Sequence, residues 1–318
     1  SGISYARVRT IAAHVTLALT ETYGGEMRYT PKSDAITRAC RDLRIFAEWD
    51  HSTDGVNGIR ALAPQGLEVR YERGCSIIED DLASLPAAVA AAQASDVVIA
   101  VVGDHLKFIG ETQSTATLEL QGGQIALLEA LEQTGKPMIV VLVNSKPLVL
   151  PAAAKRAAAI IELFNPGMEG GRALAEALFG LLNPSGKLTI SIPVHVGQQP
   201  VFYSQVRGQH GDRYADLTQE PLFRFGHGLS YTRYAYSNLR LAAPRLARGE
   251  TAQVLVDVQN VGPREGVEIV EVYVSDVGTS ATWVDRALKG FARVLLAPGE
   301  KQTVSIELPW PAFQIVDV

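Results

Sequence analysis

The run VVIAVV, Val97–Val102, followed at once by Gly103 and Asp104, decides the fold. A strand with one wet face alternates apolar and polar side chains, and this run does not. It therefore predicts a parallel strand covered by helices on both faces. Ahead of it, LASLPAAVAAAQAS reads as a helix. After it, QIALLEALEQ sets Ile125, Leu128 and Leu131 on one helical stripe, which Gly135, Lys136 and Pro137 bring to an end.

The alternation continues outward. MIVVLV, Met138–Val143, is the next buried strand, and AIIEL, Ala159–Leu163, a third. A glycine-rich link, NPGMEGG, then opens the amphipathic helix RALAEALF, which ends at Gly180, and Asn183, Pro184, Ser185 and Gly186 form a turn into KLTISIP. From about Arg44 to Ile192 the pattern is that of strands joined by crossover helices, so the expected class is α/β, a mostly parallel sheet flanked by helices. Beyond about Tyr234 the period drops to two: AQVLVDVQNVG, VEIVEVYVSD, FARVLLAPGE and KQTVSIELP alternate between Gly, Pro and charged turns. This predicts a small antiparallel sandwich of fibronectin or immunoglobulin type. Seven short strands are usual there and four or five are countable here, so an incomplete sandwich is expected. The expected division is residues 1–235 for the α/β domain and 236–318 for the sandwich. ARVRTIAAHVTLAL, near the start, fits a helix and a strand equally, and no function is assigned to it.

Bulk properties narrow the function classes. In 318 residues, 47% are apolar, enough to bury the cores of two ordinary domains. Against 34 acidic residues stand 29 basic ones, and a net charge of -5 offers no broad cationic surface for nucleic acid. Cys40 and Cys75 lack metal-site or redox spacing and read as two unlinked thiols, so neither a metal nor a cofactor is expected. No apolar run approaches the roughly 18 residues of a bilayer span, and the first residues lack a small-residue cleavage site, so neither a membrane anchor nor an export signal is expected. NPGMEGG has neither the lysine and hydroxyl of a P-loop nor the full dinucleotide fingerprint, and reads as a tight strand-to-helix connection.

Several ordered blocks go further: VVIAVVGD; GETQSTATLEL; GGQIALLEAL; GKPMIVVLVNSKPL; NPGMEGGRALAEALFGLLNPSGKLTISIP; PLFRFGHGLSYTRYAYSNL; NVGPREGVEIVEVYVSD; LKGF; and LAPGE. From Val97 to Phe291 this order resembles the C-terminal half of glycoside hydrolase family 3, whose members include β-glucosidases and β-xylosidases. The most specific blocks are NPGMEGGRALAEALFGLLNPSGKL and FGHGLSYT.

The resemblance implies a retaining exo-acting glycosidase of β-linked glucosides or oligosaccharides. In that family a β/α barrel normally precedes this region and supplies the carboxylate nucleophile. EWDHSTDG, Glu48–Gly55, does not match the nucleophile's usual surroundings, and Asp50 and Asp54 read as loop or capping carboxylates. The implied partner is thus a barrel domain from another chain or from a segment not in this one; a homo-oligomer is compatible with the same reading.

By the same resemblance the acid/base residue carries over to Glu111, in the loop after the VVIAVVGD strand. From its type alone Glu111 is a solvated loop carboxylate. Its position suits a site, because open α/β sheets present their ligand crevice at the carboxyl ends of the strands. Asp104, His105 and Lys107 share the loop and are the expected sugar contacts, against a reading as ordinary loop polarity. Glu119 is a lesser rival for the acid role, since it sits between Leu118 and Leu120 in an alternating run that suggests a short strand. Where relatives often carry an Arg-Asp or Asp-Arg pair, this chain has Thr115, Ala116 and Thr117, which alters the loop's hydrogen bonding. In FGHGLSYT, His227 reads as a packed junction histidine and Phe225 and Tyr231 as packing rings; Trp283 reads as a packing ring or a sugar-stacking one. The competing function, from a different class, is a non-catalytic carbohydrate-binding or interaction protein on the same fold.

Overall fold

The computed structural model describes residues 11–12, 51–109, 114–206, 214–277 and 282–314. The chain divides into two compact units, Ser1–Leu182 and Asn183–Val318.

In the first unit, β1 (Ile11–Ala12) is followed by α1 (His51–Leu62), α2 (Leu85–Gln93), β2 (Val98–Gly103), α3 (Gln124–Gln133), β3 (Met138–Val143), β4 (Ala159–Glu162) and α4 (Gly170–Leu178). The strands form one parallel sheet in the order β1-β4-β3-β2. The boundaries expected for β3 and α3 are those observed, whereas β2 starts one residue later than expected. Central β3 is paired on both edges and covered on both faces, which is why MIVVLV carries no polar residue. On one face Val141, Val143, Ile161 and Leu163 pack with Leu174 of α4. The α3 stripe turns Leu127, Leu128 and Leu131 inward, with Leu128 fully buried. Each such side chain contributes about 1.5–3 kcal/mol by leaving water. Of the expected stripe Ile125, Leu128 and Leu131, Ile125 is the half-buried member.

The second unit carries β5 (Tyr234–Leu241), β6 (Ala252–Asn260), β7 (Gly266–Val274), β8 (Ala287–Leu296) and β9 (Lys301–Leu308). They form antiparallel sheets β5-β6-β9 and β7-β8. Alternate residues of β6 and β9 meet Val270, Val294 and Leu296 in one core, the outcome that period-two patterning predicts. Residues 183–206 and 214–233 belong to this unit: Asn183 accepts from the Tyr231 amide and the Ser230 hydroxyl and donates to the Glu265 carbonyl. In FGHGLSYT, Phe225 stacks on Tyr203 at 4.2 Å, His227 stacks on Phe223 at 5.2 Å, and the Arg264 guanidinium lies over Tyr231. Gly228 is required by close approach, since a Cβ there would stand 2.2 Å from the Gly186 carbonyl oxygen. Trp283 is half-buried.

Candidate functional site at the carboxyl edge of the sheet

At the carboxyl ends of β2, β3 and β4 the apolar runs give way to Asp104, Asn144 and Glu162, and all three are buried. Parallel pairing in register forces this convergence, because Gly103 lies opposite Val143, and Leu142 opposite Glu162. Three polar groups thus gather beneath the loops that leave the sheet.

The end of edge strand β2 is held by a side chain from α3. The Gly103 amide donates to Gln124 Oε1 at 2.8 Å, and Gln124 Nε2 donates to the Gly103 carbonyl at 3.0 Å. Gln124, only 1% exposed, supplies the pairing that an edge strand lacks on its open side. Gly103 itself approaches β3 so closely that a Cβ would stand 1.8 Å from the Val143 carbonyl oxygen.

Asp104 is 5% exposed. Its Oδ2 accepts from the Ser145 amide at 3.3 Å, and its Oδ1 lies 3.7 Å from Lys146 Nζ. Burial pushes the Asp104 carboxyl above its ordinary value, and the Lys146 charge and the Ser145 amide oppose that shift. Lys146 Nζ also donates to Thr115 Oγ1 at 2.5 Å, and Thr115 Oγ1 in turn donates to the Thr117 carbonyl at 2.8 Å. Deeper still, Glu162 accepts from the Phe164 amide at 3.0 Å and meets the Asn144 side chain. Burial pushes its carboxyl up to about 8, because the bonds to Phe164 and Asn144 only partly replace lost hydration, and the charge of Asp104 adds to the rise. Phe164 holds a left-handed backbone with φ 52°, a conformation that a bulky residue keeps only when its surroundings enforce it.

The expected loop contacts separate by depth. Asp104 points its carboxylate at Lys146, beneath the loop. His105 is half-buried, accepts from the Lys107 amide through Nδ1 at 3.1 Å, and packs edge-on against Phe108. Lys107 is exposed. Glu111 lies outside the described residues. Glu119 is exposed, and its backbone forms an isolated parallel bridge with Val149, the nearest feature to the short strand suggested by its alternating neighbours.

Gln124, Lys146, Asn144 and Glu162 were not singled out from the sequence. The available signal was a lone acid closing the apolar run AIIE and a polar NSK triplet closing MIVVLV. Among the described residues no cluster of His, Cys, Asp and Glu could hold a metal ion, and no helix is long and apolar enough to cross a membrane. Cys75 is a free, buried thiol whose pKa is raised by burial; Cys40 lies outside the described residues.

Comparison with known proteins agrees with this architecture. Residues 9–231 match the model of the glycosyl hydrolase family 3 C-terminal domain, and residues 268–318 match that of a fibronectin type III-like domain. A β-xylosidase of Formosa agariphila is 39% identical over 269 residues, covering 82% of this chain and 37% of the relative. A periplasmic β-glucosidase of Salmonella typhimurium is 36% identical over 281 residues, covering 79% of this chain and 37% of the relative. Among solved structures, a β-glucosidase involved in saponin metabolism from intestinal bacteria superposes with a TM-score of 0.77 at 39% identity, covering 95% of this chain and 45% of that one. The β-glucosidase of Listeria innocua in complex with glucose gives 0.70 at 34% identity, covering 75% and 34%. The chain spans less than half the length of each of these relatives.

Proposed function

Because the chain belongs to glycosyl hydrolase family 3, we propose that it is part of a retaining exo-acting β-glycosidase, a β-glucosidase in the first instance, and that it contributes the acid/base carboxyl. Retention of configuration needs two carboxyl groups about 5–5.5 Å apart, one to attack the anomeric carbon and one to protonate the departing oxygen. In this reading Glu111 is the second of these, and a barrel from another chain or another segment supplies the first.

The observation that carries the reading is the position of Glu111 in the sequence. It stands between Asp104, at the carboxyl end of β2, and Thr115, and both of these are tied to the same edge of the parallel sheet. That edge is where open α/β sheets take ligands. His105 and Lys107, on the same loop, are proposed to meet sugar hydroxyls. Asp104 is proposed to act from beneath, as an anion that keeps Lys146 in place.

The test is hydrolysis of aryl β-glucosides by the chain alone and by the chain combined with a barrel-bearing partner. Activity is expected only in combination. Glu111→Ala then lowers kcat by roughly 10²–10⁴-fold, most for leaving groups that most need a proton. An unchanged rate in that variant would end the assignment. Absence of activity in both preparations would favour a non-catalytic carbohydrate-binding protein, a reading supported by the lack of a recognisable nucleophile context around Asp50 and Asp54.

A further inference from the structure

We propose that Lys146 is a positioning residue for the loop that carries the proposed acid: its ammonium fixes both ends of that loop to the carboxyl edge of β3. The proposal rests on the reading of Glu111 above. It starts from two contacts made by one buried-stem lysine whose side chain is 18% exposed. At the entrance of the loop, Lys146 Nζ lies 3.7 Å from Asp104 Oδ1. At its exit, the same nitrogen donates to Thr115 Oγ1 at 2.5 Å. Asp104 and Thr115 are 11 positions apart and flank Glu111 on either side. A single cation therefore contacts both ends.

The support behind Lys146 is rigid. It follows β3 by three positions, the Asn144 side chain donates to its carbonyl at 2.7 Å, and Asn144 is fully buried. The Asp104 amide donates to the Val143 carbonyl at 2.9 Å, and the adjacent Gly103 is clamped by Gln124. On the exit side, the Val149 amide donates to the Leu118 carbonyl at 2.8 Å, so residues 115–118 are tied to the β3 loop at two places. The threonine at 115 suits the role because its hydroxyl accepts from the ammonium while donating to the Thr117 carbonyl. An ion pair this sheltered is screened less than a surface pair. Removal of the lysine leaves a buried carboxylate without its cation.

The experiment uses hydrogen exchange on the 318-residue chain, followed by kinetics in combination with the barrel-bearing partner. Lys146→Met is expected to raise amide exchange in the flanks 104–109 and 114–118 by roughly tenfold or more, with α3 and β4 unchanged, and Lys146→Arg is expected to restore protection. Thr115→Val, which cuts only the exit bond, is expected to raise exchange in 114–118 alone and keeps the proposal testable if the Met variant fails to fold. In the assay, Lys146→Met lowers kcat by roughly ten- to a hundredfold with little change in KM, since misplacement by about 1 Å costs that much. The loss deepens for poor leaving groups. Unaltered exchange in both flanks, or a loss in kcat of the same size for every leaving group, overturns the proposal. If Glu111→Ala is slow while Lys146→Met is not, this inference alone fails; if Glu111→Ala is unimpaired, the acid assignment fails with it.

Discussion

Two buried carboxylates, one in each unit, behave in opposite ways. Glu162, at the end of β4, is pushed up to about 8 because burial outweighs the few donors that reach it. Asp257, on β6, is held well below the usual carboxylate range by Asn238, Thr303 and Lys301, which donate to it from neighbouring strands. The difference lies in where a strand residue can find donors. Within an antiparallel sheet, cross-strand neighbours stand beside every residue and can be chosen to satisfy it. At the carboxyl end of a parallel strand the backbone partners run out, and the side chain faces loops instead. The sandwich therefore uses Asp257 as a staple between strands, whereas the α/β unit gathers Asp104 and Glu162, both raised by burial, at one edge of its sheet. Asp257 also lines a shallow depression with Asn238, Leu239, Arg240 and Thr303, where its carboxylate is already engaged by Asn238 and Thr303.

That contrast can be broken at three points. The largest effect is expected from Leu128→Ala in α3, where a fully buried side chain leaves a cavity worth about 2–5 kcal/mol. Calorimetry should show the α/β transition lowered while the sandwich transition keeps its Tm; a common shift would show that the units do not unfold separately. An intermediate effect is expected from Glu162→Gln. With a folded pKa above the unfolded one, the native state holds the extra proton between about pH 4.5 and 8. Stability thus declines as pH rises through that window. The variant should flatten the decline, with a gain on the order of 2 kcal/mol at pH 8. Denaturant midpoints at pH 5 and pH 8 check this, and an equal slope in both proteins would refute it. Asp104, also raised, leaves a residual slope of the same sign. The smallest effect is expected from Asp257→Asn. A depressed carboxylate stabilises above its unfolded pKa and loses that contribution as pH falls below it, so the deficit of this variant should shrink below about pH 4. A deficit independent of pH would show that packing, not charge, is lost.

Much of the fold was legible because burial on two faces writes itself into composition. VVIAVV, MIVVLV and AIIEL announce a parallel sheet, and QIALLEALEQ its covering helix, without reference to anything distant. The alternation in AQVLVDVQ and KQTVSIELP announces the sandwich in the same way. The site was less legible. Position in the sequence and the family resemblance single out Glu111, but nothing local marks Gln124 as the partner of Gly103, 21 positions away, or Lys146 as the cation facing Asp104 and Thr115.

By itself, then, the sequence determined the succession of strands and helices, the change of period near Tyr234, and the family to which these blocks belong. Only the tertiary structure decided that Asp104 faces inward and that Lys146 joins the two ends of one loop. It also decided that Glu162 holds its proton near neutral pH. The physical reason is that hydrophobic periodicity is a local property of the chain, whereas a buried charge takes its partner and its pKa from whichever residues the sheet register brings beside it.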